Sequence, residues 1–116
     1  MSNKRSEKVA ALIKQEIGNM LLSELKDPDF GFITITKVNV SKDLQHARVF
    51  YSVYGDEAGR KKTRQALARA KGHIRAEIGR RIKLRFVPEI EFVYDDSAEY
   101  ADRIEHLLHK INNGEL

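Results

Sequence analysis

A chain of 116 residues, 41% hydrophobic and 33% charged, is long enough for one domain that buries roughly two thirds of its unfolded surface, and too short for two. It has no cysteine, no apolar run approaching a membrane span and no uninterrupted apolar stretch behind Lys4 and Arg5; this excludes disulfide frameworks and thiolate metal sites, and sets the expectation of one cytoplasmic domain over 1–116 with no membrane partner. The net charge of +4 is sorted by segment, with 0 over 1–59 (8 basic, 8 acidic), +10 over 60–85 (11 basic against Glu77 alone) and −6 over 86–116 (2 basic, 8 acidic), as in a protein with one cationic binding face.

The first helix is expected from Ser6, a residue type that caps, because Val9, Ile13, Ile17, Met20, Leu21 and Leu25 recur at steps of three and four. Lys26-Asp27-Pro28 ends it. From Phe32 the pattern alternates, with Thr34, Thr36, Val38 and Val40 on one face. After Ser41-Lys42-Asp43 it resumes through Ala47, Val49, Tyr51 and Val53, which reads as an antiparallel hairpin. A loop at Gly55–Gly59 leads to a second helical stretch with Leu67, Ile74 and Ile78, broken at Ala70-Lys71-Gly72, since glycine inside a helix costs about 1 kcal/mol relative to alanine. From Ile82 the period becomes two, with Ile82, Leu84 and Phe86 opposite Arg81, Lys83 and Arg85, continuing through Ile90, Phe92 and Tyr94. Pro88 puts this third strand at an edge or bulge. Asp95-Asp96-Ser97 caps a last helix whose apolar stripe is Tyr100, Ile104, Leu107, Leu108 and Ile111. The order predicts an α+β domain with helices on one face of a three-stranded sheet.

On one continuous helix Arg60, Arg64, Lys71 and Arg75 would lie within about 60° of arc. Arg69 and Arg80 sit elsewhere around the cylinder, and Arg81, Lys83 and Arg85 extend the positive field onto the following strand. A solvated helix face would intersperse acids to form i,i+4 pairs, and here they are nearly absent. The expected chemistry is therefore a phosphate track for structured RNA. Other chemistries lack their parts: His106 and His109 are three apart but read as the polar side of an amphipathic helix, Gly55 and Gly59 lack the Gly-Lys-Ser/Thr of a phosphate cradle, and no Ser, His and Asp set has a nucleophile context. Asp27, Asp43 and the Asp95-Asp96 pair read as caps and turns. Of the aromatics, Phe50 and Tyr54 alone are expected on the sheet face opposite Val49 and Tyr51. No metal, cofactor or catalytic residue is assigned.

The residues also resemble a known family, bacterial ribosome-binding factor A, from Arg5 to about Ile111. The likeness is carried by Arg5 with Lys8-Val9, Lys26-Asp27-Pro28, Ile33-Thr34-Ile35-Thr36, Val40-Ser41-Lys42-Asp43-Leu44 and Ala47-Arg48-Val49. It continues through Ala70-Lys71-Gly72, Ile74-Arg75, Ile78-Gly79, Leu84-Arg85-Phe86-Val87-Pro88-Glu89, Tyr94-Asp95-Asp96-Ser97, Arg103-Ile104 and Leu107-Leu108. The resemblance implies a type II KH-like fold in which an interrupted helix, here at Ala70-Lys71-Gly72, replaces the Gly-x-x-Gly loop. It also implies a factor that binds the free small (30S) ribosomal subunit late in assembly and assists maturation of its 16S rRNA, above all at low temperature. Without Gly-x-x-Gly, the four-nucleotide clamp of ordinary KH domains is not expected.

The expected RNA contacts are Arg60, Lys61, Arg64, Arg69, Lys71, Arg75, Arg80, Arg81, Lys83 and Arg85, with Lys4, Arg5 and Lys8 as a second contact. Ala70 and Gly72 would shape the helix kink. The protein is expected to be a non-enzymatic monomer off the ribosome. The alternatives are a general structured-RNA binder, or an adaptor whose basic face meets an acidic protein.

Overall fold

The apolar spacing of the first helix fixes one layer of the structure, a computed structural model that describes residues 4–114. Helix α1, Lys4–Ser23, buries Val9, Ile13, Ile17 and Met20 along one stripe. Ser6 lies inside this helix and is itself buried, so it does not cap it. The helix ends before the expected stop, and Asp27 instead caps a 3-10 turn, Pro28–Phe30, accepting from the Asp29 amide at 2.9 Å.

Strands β1, Phe32–Val40, and β2, His46–Tyr54, pair antiparallel as the alternation predicts. The inward face of β2 is Ala47, Val49, Tyr51 and Val53. In β1 the expected face is corrected: the register slips between Ile35 and Lys37, so Thr36 is a bulge. Ile33 and Ile35 therefore share the inward side with Val38 and Val40, while Thr34 is exposed. The turn is held by Asp43, which accepts from the Ser41 hydroxyl at 2.6 Å and the Gln45 amide at 3.0 Å.

Helix α2, Glu57–Arg81, starts inside the expected glycine loop because Asp56 caps it, accepting from the Gly59 amide at 2.8 Å. It runs unbroken through Ala70-Lys71-Gly72, which corrects the expected interruption. Ala66 and Leu67 on one side of Gly72, and Ile74 and Ile78 on the other, are all buried in the same core. A propensity cost of about 1 kcal/mol does not outweigh that burial. Thr63 adds a buried anchor, its hydroxyl donating to the Phe30 carbonyl at 2.9 Å.

Strand β3 is short, Glu89–Tyr94, and runs parallel to β2 in the order β1-β2-β3, with α2 as the crossover. Residues 82–88 are not strand, again against expectation. The Arg75 guanidinium donates to the carbonyls of Val87 (2.9 Å) and Pro88 (3.1 Å), and Val87 packs so closely on Gly79 that a Cβ there would stand 2.5 Å from its methyl. Those contacts fold the segment back on α2, and Phe86 is left 73% exposed.

Helix α3, Ser97–Asn112, departs from the expected helix layer: none of its residues is buried, and its apolar stripe faces solvent. Asp95 ties its start to the sheet, accepting from the Thr36 hydroxyl at 2.7 Å and from the Ser97 amide at 3.0 Å. Among the described residues no helix is long and apolar enough to cross a membrane.

Gly72 is exposed and an added Cβ would meet nothing within 4 Å, so Gly72→Ala should raise unfolding free energy by about 0.5–1 kcal/mol in urea titrations; a loss of stability would contradict an unbroken helix. The hydroxyls of Ser97 and Thr36 hold the Asp95 carboxyl at about 2, below its ordinary 3.8. A depressed carboxylate stabilises the fold above its unfolded value and ceases to do so as pH falls through its folded one. Stability should therefore decline between about pH 4 and 2, and decline less steeply in Asp95→Asn.

Candidate nucleic-acid interface

Because α2 is one helix with a single buried stripe, its cations divide by what stands next to them. Arg81, at its last turn, lies against Glu77 (3.0 Å) on its own helix and Glu16 (3.3 Å) and Glu24 on α1, so it clamps the two helices together. These carboxylates raise its pKa further, led by Glu24. Arg80 also pairs with Glu77, and the two guanidiniums hold that carboxyl below the usual range, Arg80 most. Arg69 reaches across to the 3-10 turn, 2.8 Å from Asp27 and 3.2 Å from Asp29, and lowers the Asp27 pKa. Arg75 holds the 82–88 segment through backbone carbonyls and lies 3.4 Å from Glu89. Each of these four arginines thus has a partner within the fold, a role that sequence spacing did not reveal.

The remaining cations face outward. Lys61, Arg64, Lys71, Lys83 and Arg85 are exposed, and among the described residues no carboxylate pairs with any of them. Lys62, missing from the sequence-based set, is equally exposed and likewise has no carboxylate partner among the described residues. Its signal was its place in the same basic run. Arg85 lies against the Phe86 ring, 5.5 Å from its centroid.

Two clefts gather the sequence-predicted residues. One, between α2 and β3, brings Arg60, Lys61 and Arg64 together with Tyr51, Phe92 and Tyr94. Here Arg60 is 3.2 Å from Glu99 of α3 and 5.7 Å from the Tyr94 centroid. Hydrogen bonding to Glu99 pushes the Tyr94 hydroxyl pKa up. The other cleft brings Arg5 of α1 beside Arg85 and Phe86, joining the expected second contact to the end of the first. Lys4 and Lys8 are exposed on the same first turns of α1.

The outer sheet face is less aromatic than a base-reading sheet, although it holds more than expected. Phe32, paired in register with Tyr54, is exposed beside it, and Phe50 lies under the Lys37 ammonium at 4.5 Å. His106 and His109 are exposed on α3, and among the described residues no group of three or more His, Cys, Asp or Glu is placed to hold a metal ion.

A model of the family described as ribosome-binding factor A matches residues 5–108. The chain is 50% identical over 115 residues to the ribosome-binding factor A of Halothermothrix orenii, across 99% of this chain and 94% of that protein. It is similar to the crystal structure of ribosome-binding factor A from Thermus thermophilus, with 27% identity and a TM-score of 0.67 over 77% of this chain and 94% of that one. It is also similar to a homology model of the Thermus thermophilus factor fitted into the electron-microscopy map of its 30S complex, with 28% identity and a TM-score of 0.61 over 75% and 91%. The three helices and three-stranded mixed sheet are the KH-like α+β fold of these relatives. By the family model and by identity along nearly its whole length, the chain belongs to the ribosome-binding factor A family.

Proposed function

We propose that residues 1–116 work as one KH-like domain, a cytoplasmic monomer off the ribosome, that binds the free small subunit and assists late maturation of 16S rRNA, at low temperature above all. The observation that carries this reading is the row of exposed cations without carboxylate partners on α2 and the segment behind it, Lys61, Lys62, Arg64, Lys71, Lys83 and Arg85. It is supported by the relative fitted into a 30S complex. Such a row suits phosphates of folded RNA, which position a protein without reading bases. Lys4, Arg5 and Lys8 provide the second contact, next to Arg85. Arg60 serves on exchange of Glu99, whereas Arg69, Arg75, Arg80 and Arg81 mainly brace the scaffold and reach phosphate only by leaving their partners. Gly72, exposed beside Lys71, keeps the helix surface low where RNA approaches, while Ala70 packs partly against the core beneath it, so Gly72→Leu impairs subunit binding in a folded protein.

The mechanism is conformational. A binder with higher affinity for one RNA arrangement shifts the population toward it, by no more than its differential affinity. The exposed apolar stripe of α3 favours a protein contact as a second reading, and nuclease treatment of the complex separates the two, because a protein-held complex survives it.

Six phosphate contacts should make subunit affinity fall about 10³-fold between 50 and 200 mM salt, read by co-sedimentation. Arg64→Glu/Lys71→Glu should weaken binding and flatten that dependence. Arg81→Gln should instead lower the unfolding midpoint, by exposing Glu16, Glu24 and Glu77 to one another, while leaving the salt slope of the folded protein unchanged. Salt-insensitive binding, or equal binding to large subunits, would contradict the proposal.

A further inference from the structure

Strand β1 is an edge of the sheet, and an edge strand turns half of its backbone N–H and C=O groups away from its one neighbour. Among the described residues, no backbone–backbone hydrogen bond joins 32–40 to any element other than β2. Beside this edge, against α1, lies a cleft of about 1060 Å³. Leu21 and Leu22 of α1, Leu25 just after it, Phe30 of the 3-10 turn, and Phe32 and Ile33 of β1 line it. Leu22 is 88% and Phe32 80% exposed, so the fold itself leaves this apolar surface uncovered. A second cleft of about 430 Å³ continues it along residues 37–40, with Ala11 and Lys14 lining both. Helix and strand edge thus bound one groove that follows β1 from end to end.

We propose that this groove seats an extended, acidic segment of a partner protein, which adds a fourth strand beside residues 32–35 and sets its alternate apolar side chains against Leu22, Leu25 and Phe32. A free strand edge is matched by the backbone of another strand, and a groove beside that edge takes the added strand's alternate side chains. Helix α1 makes the room. Ala11 and Gly18, two turns apart, both line the groove, and a Cβ at Gly18 would meet nothing within 4 Å. Gly79 is kept small by Val87, whereas the space at Gly18 is filled by nothing in the fold and is open to a partner. The bulge at Thr36 ends the straight part of the edge and confines the new pairing to 32–35.

Charge selects the partner. Lys14 and Lys26 line the groove and Lys37 lines its continuation. All three are exposed, and among the described residues no carboxylate pairs with them. Asp27, the acid in the lining of the larger cleft, is taken by Arg69. A second copy of the chain, paired edge to edge, would set these lysines against their own counterparts, and like charges on adjacent strands repel. An acidic strand neutralises them. RNA would use the lysines alone and leave the leucines and the free edge without a match. No residue of α2 lines the groove, so the proposal stands apart from the cationic row and from the RNA reading.

The test uses the full chain and a fluorescein-labelled octapeptide of alternating valine and glutamate at trace concentration, read by fluorescence anisotropy. The same peptide with lysine in place of glutamate should bind at least about tenfold more weakly. Successive residues of a strand turn their amides to opposite edges, so N-methylation of one alternate set should abolish binding and methylation of the other set should spare it. Gly18→Leu fills open space without disturbing the core and should weaken the glutamate peptide about tenfold, with the urea unfolding midpoint kept or raised. Lys14→Glu/Lys26→Glu should weaken it several-fold, whereas Arg64→Glu/Lys71→Glu, on the other helix, should bind it as the wild type does. The proposal is overturned if the glutamate peptide does not bind, if the α2 variant loses it, if both methylated peptides bind or neither does, or if folded Gly18→Leu binds it unchanged. A dimer in sedimentation equilibrium that Gly18→Leu dissolves would put a second copy in the groove and overturn it as well.

Discussion

Burial of one stripe of α2 is the constraint on which the charge geometry depends. Thr63, Ala66, Leu67, Ile74 and Ile78 go into the core that the sheet and α1 share. At 3.6 residues per turn, that choice fixes the azimuth of every other side chain on the helix. The cations then have two fates. Those turned toward α1, the 3-10 turn or the entry to β3 meet carboxylates or carbonyls and become braces. Those turned outward stay hydrated and available. A helix with so many like charges would repel itself in isolation. Here the self-repulsion is reduced by acids drawn from other elements, with Glu16 and Glu24 from α1, Asp27 and Asp29 from the turn and Glu99 from α3.

Much of the fold was legible because apolar spacing and burial agree. The stripe of α1 and the inward face of β2 are as the pattern predicts, since both elements have one wet and one dry side. The failures have local causes. In β1 the apolar residues change phase between Ile35 and Val38, which is itself the signal of a bulge at Thr36. The alternation from Ile82 to Phe86 imitates a strand, but what decides that segment is Arg75 capturing two carbonyls and Gly79 admitting Val87, long-range contacts that no local period encodes. Gly72 misled in another way: a propensity penalty visible in sequence was outweighed by packing that is not.

The candidate site was half legible. That segment 60–85 would present a cationic face follows from composition, and the family resemblance is independent of it. Which cations are free does not follow, because pairing depends on carboxylates far away in sequence, Arg69 with Asp27 and Arg81 with Glu16 among them. By charge alone, the −6 of segment 86–116 is a counterweight to the +10 of 60–85. It is partly that in detail, through Glu89 against Arg75 and Glu99 against Arg60.

The parallel pairing of β2 with β3 has a consequence for how the protein comes into being. Synthesis delivers the hairpin and α2 before Phe92, Tyr94 and Glu99 exist, and parallel pairing across a helical crossover is among the slower steps of folding. Until β3 lies alongside β2, a nascent chain displays arginines with neither the rings nor the acid that temper them. It is then a polycation emerging from a particle made largely of RNA. The pairing of Arg60 and Arg75 with acids is thus among the last features the molecule acquires, since Glu89 and Glu99 follow α2 in the chain.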